Sequence, residues 1–307
     1  MKRFFSVFLI IIFSLLSFCS CAPQKNEGKL TIVTTVFPPF DFARSIAGKK
    51  AEIIKLVPDG SESHSFEPTP TQIKTVEDCD LFICIGGESE NWAERIADNK
   101  SSGKTLSLIN TVTLLESHSG EEHEHHEESG DHHHHEHDEH IWTSVKNAVK
   151  MSEAIFNALC EVDAENKDYY ENNFKSLKNS LDALDKEFQS INLQKPLFFG
   201  DRFPFLYLAK EYSFDYFAAF PGCAEQTEPD IKTLTHLIEH AKEEDVKVIY
   251  YTEFSNKKIA LMLCEETGAQ PLLLHSCHNV TSEEMKNGES YLSLMKRNCE
   301  NIKKMAD

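Results

Sequence analysis

Beyond its first 20 residues the chain has no long apolar run, and this excludes a polytopic membrane protein. Positive charge is scarce too. Lys and Arg number 31 against 50 Asp and Glu, a formal net charge of −19. Phosphate neutralisation needs the opposite balance, so nucleic acid is not an expected partner. No CxxC pair exists among the cysteines that follow Cys21: Cys79, Cys84, Cys160, Cys223, Cys264, Cys277 and Cys299. That odd and sparse set is not a dense disulfide scaffold. Cys79 and Cys84 border an apolar strand-like run and read as core residues. Cys223 leaves two readings open, a disulfide with Cys277 or a free thiol. A nucleophile elbow and a zincin helix are also missing, since Glu239 is misplaced between His236 and His240 for H-E-x-x-H chemistry.

What remains is a 307-residue chain, 40% hydrophobic and 26% charged. That composition is globular, and the length suits one or two domains with a sizeable core. Lys2 and Arg3 precede the apolar run 4–18, and small residues follow in Cys19-Ser20-Cys21. This pattern reads as a signal peptide over 1–20. Cys21, preceded by the small Ser20, is the expected lipidation site, and 21–28 is a polar tether. The mature protein is then expected outside the cytoplasm, held to the cell membrane by lipid.

Short β-branched or apolar runs bounded by turn residues predict strands at 30–37, 51–57, 81–85 and 105–109. Helix-length segments at 40–48, 70–78 and 90–99 separate them. The same alternation returns later, with strands expected at 196–200, 214–220, 246–252 and 271–275. Helical patterns fall at 203–212, 230–243, 255–267 and 281–303. Both halves therefore read as α/β lobes with mostly parallel sheets, the first over 29–163 and the second over 194–307. Between them, 166–193 lacks Gly and Pro and carries Tyr170, Phe174, Leu177, Leu181, Leu184 and Phe188 at spacings of three or four. That is one amphipathic helix of about 40 Å at 1.5 Å per residue. A stiff linker over 164–193 predicts limited motion between lobes.

Histidine is the anomaly. Ten of the 15 lie within 116–140, beside ten acidic residues. His118, His123, His125, His126, His132, His133, His134, His135 and His137 stand in a stretch without apolar residues, so 116–139 is expected to be a mobile loop that binds divalent metal weakly. A specific site needs fixed geometry. The candidates for that are His64, after the second strand, His140, where apolar residues resume, and His275, at a strand end, with His278 close behind. Ligands in open α/β sheets bind beyond the carboxyl ends of strands, so these histidines could meet in a cleft between the lobes. His236 and His240 share a helix face and read as a solvated surface pair.

Four stretches carry a resemblance: TTVFPPFDFARSIAG at 34–48, LVPDGSESHSFEPTPTQI at 56–73, the His-rich insert ending in EHIW at 139–142, and GESYLSLMKRN at 288–298. Together they resemble the solute-binding lipoproteins of zinc and manganese ABC importers, the ZnuA/TroA-like (cluster A-I) family. The resemblance implies a C-clamp of two α/β lobes bridged by one long helix, with metal in the cleft. It implies partnership with a membrane permease and its ATPase, a monomer, and no enzymatic activity. It matches His64 and His140 to the family's first two histidine ligands. The third falls on Arg202 in RFPFLY at 202–207, and a guanidinium cannot ligate a cation. His275 matches the last ligand position, with His278 the leading fourth candidate and Asp201 next. Arg202 is expected to point away from the metal or to pair with a carboxylate, for which Asp201 and Glu228 are the candidates. Imidazole-rich ligation favours Zn²⁺ as the transported ligand over Mn²⁺. The rivals are a zinc-dependent hydrolase using Glu62 or Glu67, and a metal-buffering surface adhesin.

Overall fold

The computed structural model describes residues 29–117, 137–220, 229 and 231–305. Cys21, Cys223, Glu228 and the histidines from His118 to His135 lie outside them. Two four-stranded parallel sheets form the frame. The first contains β1 (Leu30–Thr34), β2 (Ala51–Lys55), β3 (Leu81–Cys84) and β4 (Lys104–Ser107), in the order β2-β1-β3-β4. The second contains β5 (Leu197–Phe199), β6 (Tyr216–Ala218), β7 (Val248–Tyr251) and β8 (Gln270–Leu273), in the order β6-β5-β7-β8. All eight expected strands are present, each within a residue of its predicted start or shorter at its ends. Register pairs such as Ile32↔Ile53 and Val33↔Phe82 put apolar side chains on both faces, as a doubly covered parallel sheet requires.

The covering helices are α1 (Phe37–Ala47), α2 (Pro70–Asp78), α3 (Asn91–Asn99) and α4 (Val145–Val162) in the first half. The linker is α5 (Lys167–Gln189). The second half adds α6 (Leu206–Tyr212), α7 (Ile231–Glu243), α8 (Lys258–Thr267), α9 (Ser282–Lys286) and α10 (Tyr291–Lys303). The linker buries all six residues of its apolar stripe, from Tyr170 to Phe188. Two differences from the sequence reading stand out. A helix not singled out there, α4, buries Val145, Ala148, Met151, Ile155 and Leu159 and runs against the linker α5. The expected helix over 281–303 is broken at Gly288, whose φ of +75° suits glycine, and each piece has its own capping box, Thr281 with Glu284 and Ser290 with Ser293.

One hydrophobic cluster runs through both halves, from Ile32 and Ile83 to Phe199 and Tyr250. The C-terminal helix fastens them further. Tyr291 N–H donates to Asp41 Oδ2 at 2.7 Å, its hydroxyl donates to Trp142 O at 2.6 Å, and Arg44 Nη2 donates to Glu289 O at 2.6 Å. Trp142, Tyr291, Phe37 and Phe42 are all fully buried near this seam. Each such side chain contributes roughly 1.5–3 kcal/mol by burial. This continuous seam argues for limited relative motion more strongly than the stiff linker alone.

Candidate metal centre

The carboxyl ends of both sheets point into a cavity of about 710 Å³. His64, His140 and His278 converge there. One ligand atom from each lies within 4.8 Å of the other two. Ring centroids are 5.6 Å apart for His64–His140, 4.8 Å for His64–His278 and 5.5 Å for His140–His278. Two imidazoles come from the first half and one from the second. Among the described residues, no other group of His, Cys, Asp or Glu reaches this density.

His140 is held by its neighbour. Asp138 is buried, and its Oδ1 accepts from the His140 backbone N–H at 2.8 Å and faces Nδ1 of the ring at 3.1 Å. A proton on Nδ1 satisfies that carboxylate and leaves the Nε2 lone pair for a cation. Asp138 is itself fixed from the second half, since Tyr207 donates its hydroxyl to Asp138 O at 2.8 Å. His64 rides on the loop after β2. Asn279 braces that loop, donating from Nδ2 to Pro58 O at 2.7 Å and Ser61 O at 2.9 Å. Gly60 N–H adds a bond to Val280 O at 2.8 Å.

His275 does not join the cluster. It is fully buried and turned into the second half. Its Nδ1 accepts from Cys277 N–H at 2.9 Å, so Nε2 carries the proton, facing Glu284 Oε1 at 3.5 Å. Asn298 clamps its backbone, accepting from His275 N–H at 2.8 Å and donating to His275 O at 2.7 Å. The expectation that His275 supplies a lone pair to the cleft is therefore corrected. It shapes the turn that presents His278. That turn places Cys277 at φ +60°, a left-handed conformation costing about 1–2 kcal/mol in a residue with a Cβ. Several bonds hold the strain: Glu253 accepts from Ser276 N–H and Oγ–H at 2.8 and 2.6 Å, Trp142 Nε1–H donates to Ser276 O at 2.8 Å, and Phe37 N–H donates to His278 O at 3.2 Å. Cys277 is a free, buried thiol, and burial pushes its ionisation well up. His278 is shifted the other way. Lost hydration, then the facing His64 and His140 rings, hold it well below the usual 6.5. It stands neutral at physiological pH, the form that binds metal.

Arg202 and Asp201 line the same cavity without entering the cluster. Asp201 Oδ2 accepts from Thr252 N–H and Oγ1–H at 3.0 and 2.6 Å, and Oδ1 accepts from Arg202 N–H at 2.9 Å. Arg202 Nη1 faces Glu62 Oε2 at 3.9 Å across the cleft, whereas Asp201 meets only its backbone N–H and Glu228 lies outside the described residues. His137 pairs with Glu116 in an isolated bridge at the base of the His-rich segment. His236 and His240 lie 4.1 Å apart on α7 with their rings tilted, and His240 stacks on Phe217 at 5.1 Å, away from the triad.

A family model described as zinc-uptake complex component A, periplasmic (ZnuA), matches residues 32–305. The chain belongs to the ZnuA family. It is 34% identical to the high-affinity zinc uptake system protein ZnuA of Bacillus subtilis over 313 residues, covering 98% of this chain and 97% of that protein. It is 30% identical over 292 residues to the zinc-binding lipoprotein AdcA of Streptococcus pneumoniae, covering 94% of this chain but 58% of AdcA. Among solved structures, the Zn(II)-bound ZnuA-like domain of that AdcA superposes with a TM-score of 0.75 at 27% identity, covering 91% of this chain and all of that domain. Asp138, Asn279 and Trp142 are the site residues that sequence reasoning missed. Asp138 had one available signal, its place two residues before His140, but it sits among ten acidic residues.

Proposed function

We propose that this protein captures Zn²⁺ outside the cytoplasm through His64, His140 and His278 and presents it to an ABC permease driven by its ATPase. The convergence of three imidazoles from both halves of the molecule, with donor atoms within 4.8 Å, carries the reading. Nitrogen donors suit zinc better than manganese, which prefers oxygen. No bond is made or broken, and the protein works as a monomeric receptor tethered by lipid on Cys21. The fastened seam between the halves makes release a matter of loop movement around His64 and His140. Competition titration of the purified protein with a chromogenic zinc chelator tests the reading. One tight zinc per molecule, lost in His278→Ala and kept against excess Mn²⁺, is expected. Retention of tight zinc in His278→Ala, or preference for Mn²⁺, overturns it.

A further inference from the structure

We infer that the cleft takes zinc together with a small carboxylate, one oxygen of which fills the fourth zinc position while its charge faces Arg202. This rests on the metal reading above and adds a second component to the cargo. Zinc sites are almost always four-coordinate. The triad supplies three nitrogens, and the acidic residues beside it have other partners. Asp201 is engaged by Thr252, Glu253 by Ser276, and Glu62 faces Arg202.

The fourth side of the triad opens on the cavity of about 710 Å³. A bound water takes up only about 30 Å³, whereas small-molecule sites run from about 300 to 1,000 Å³. A lone cation has no use for such a space. Charge points the same way. Zn²⁺ on three neutral imidazoles keeps its full double charge, and a guanidinium on the same cavity wall repels it. A carboxylate between them relieves that repulsion and meets the planar donor fork that suits it best. The Glu62 contact is long, at 3.9 Å, and both side chains are over a third exposed, so an incoming anion displaces it at little cost. Lys258 adds a second cation to the lining, and Ser255 and Asn256 add neutral polar groups.

Co²⁺ can report on the fourth ligand, because its visible bands respond to donor exchange. The full chain is loaded with one Co²⁺ in non-coordinating buffer, then titrated with acetate and with malonate. A saturable band shift is expected with both, at lower concentration for malonate. Arg202→Ala should weaken the anion at least tenfold without loss of Co²⁺ affinity, and Arg202→Lys should fall between, which also guards against misfolding of the alanine variant. A spectrum indifferent to both anions, or an equal response in Arg202→Ala, overturns the inference. So does a changed anion-free spectrum in Glu62→Gln, which assigns the fourth position to Glu62. Absence of any Co²⁺ or Zn²⁺ binding by the wild type is a different failure, that of the metal reading itself.

Discussion

His64 comes nine residues after the end of β2 and His140 33 residues after the end of β4, whereas after β8 the second half reaches His278 only five residues beyond Leu273. The two sheets share one strand order, so the contrast lies in the loops. In the first half each histidine is aimed by outside groups: Asn279 holds the His64 loop and Tyr207 holds Asp138 under His140. In the second half a short turn does the aiming, with Cys277 at φ +60°, His275 folded inward as its support, and Trp142 and Phe37 bonded to it from the first half. A tight turn has room for only one of its two histidines to face the cleft. A long loop presents a side chain freely but needs a brace from elsewhere.

Substitution within that turn breaks the comparison most visibly. Structural zinc sites are worth about 10–16 kcal/mol over four ligands, hence roughly 3 kcal/mol for each donor. His278→Ala should therefore cost about 100-fold or more in zinc affinity, at 1.4 kcal/mol per tenfold, with little loss of thermal stability. His275→Ala should reverse the pattern. It leaves the buried Cys277 N–H without its acceptor, at about 1–3 kcal/mol of stability, and weakens zinc less than His278→Ala does. Calorimetry and chelator competition on both variants check this. Greater zinc loss in His275→Ala would return it to the ligand set.

Asp138 sharpens the first-half side of the contrast. Removing a carboxylate that orients a ligating histidine costs typically 10–100-fold in metal affinity. Asp138→Asn should fall in that range, with the His64 side of the cluster unaffected. Zinc affinity equal to wild type would show that Tyr207 and the local backbone suffice to set the ring.

Acid should act on the turn through His278. Its folded value lies well below 6.5, so between that value and 6.5 the unfolded chain binds the extra proton. Stability of the metal-free protein from this group is therefore flat above pH 6.5 and falls as pH drops through that window. Thermal midpoints from pH 7.5 to 5 should decline more steeply for wild type than for His278→Gln. Parallel curves would show that His278 keeps its ordinary ionisation in the fold.

The strands were legible because each short apolar run ends in Pro, Gly or a polar turn, and the linker because six apolar residues hold a strict helical spacing. The same spacing marks Val145 to Leu159, so α4 was readable in principle, although its proximity to α5 was not. His64 and His140 could be found from their motifs. His275 and His278 could not be told apart, since they lie three residues apart and both follow a strand. What separates them is a left-handed residue at a cysteine, a conformation no sequence rule assigns to that side chain. Contacts such as Asn279 to Pro58 join residues more than 200 positions apart and leave no local trace.

The smallest effect should come from the largest visible feature. Nine histidines of the tract, from His118 to His137, precede His140 in the chain, and their number invites the thought that they form the site. The ordered residues argue otherwise. The base of the segment is closed at its two ends, by the Glu116↔His137 bridge and by Asp138 N–H donating to Leu115 O at 2.9 Å. Tyr207 joins both sides of that base, accepting from Leu115 N–H at 3.0 Å and donating to Asp138 O. His140 therefore takes its position from Leu115, Asp138 and Tyr207, none of which lies within 118–136. Replacing 118–136 by a short Gly-Ser linker should leave the affinity of the tight zinc within about twofold, because that linker closes a loop whose ends are already held and loop length enters closure only logarithmically. The deletion should remove the weaker zinc ions that dispersed imidazoles and carboxylates hold. Stepwise calorimetric titration of the two forms decides it. If the tight site disappears with the tract, the bridge at Glu116 does not fix His140, and the first half needs its long loop for more than reach.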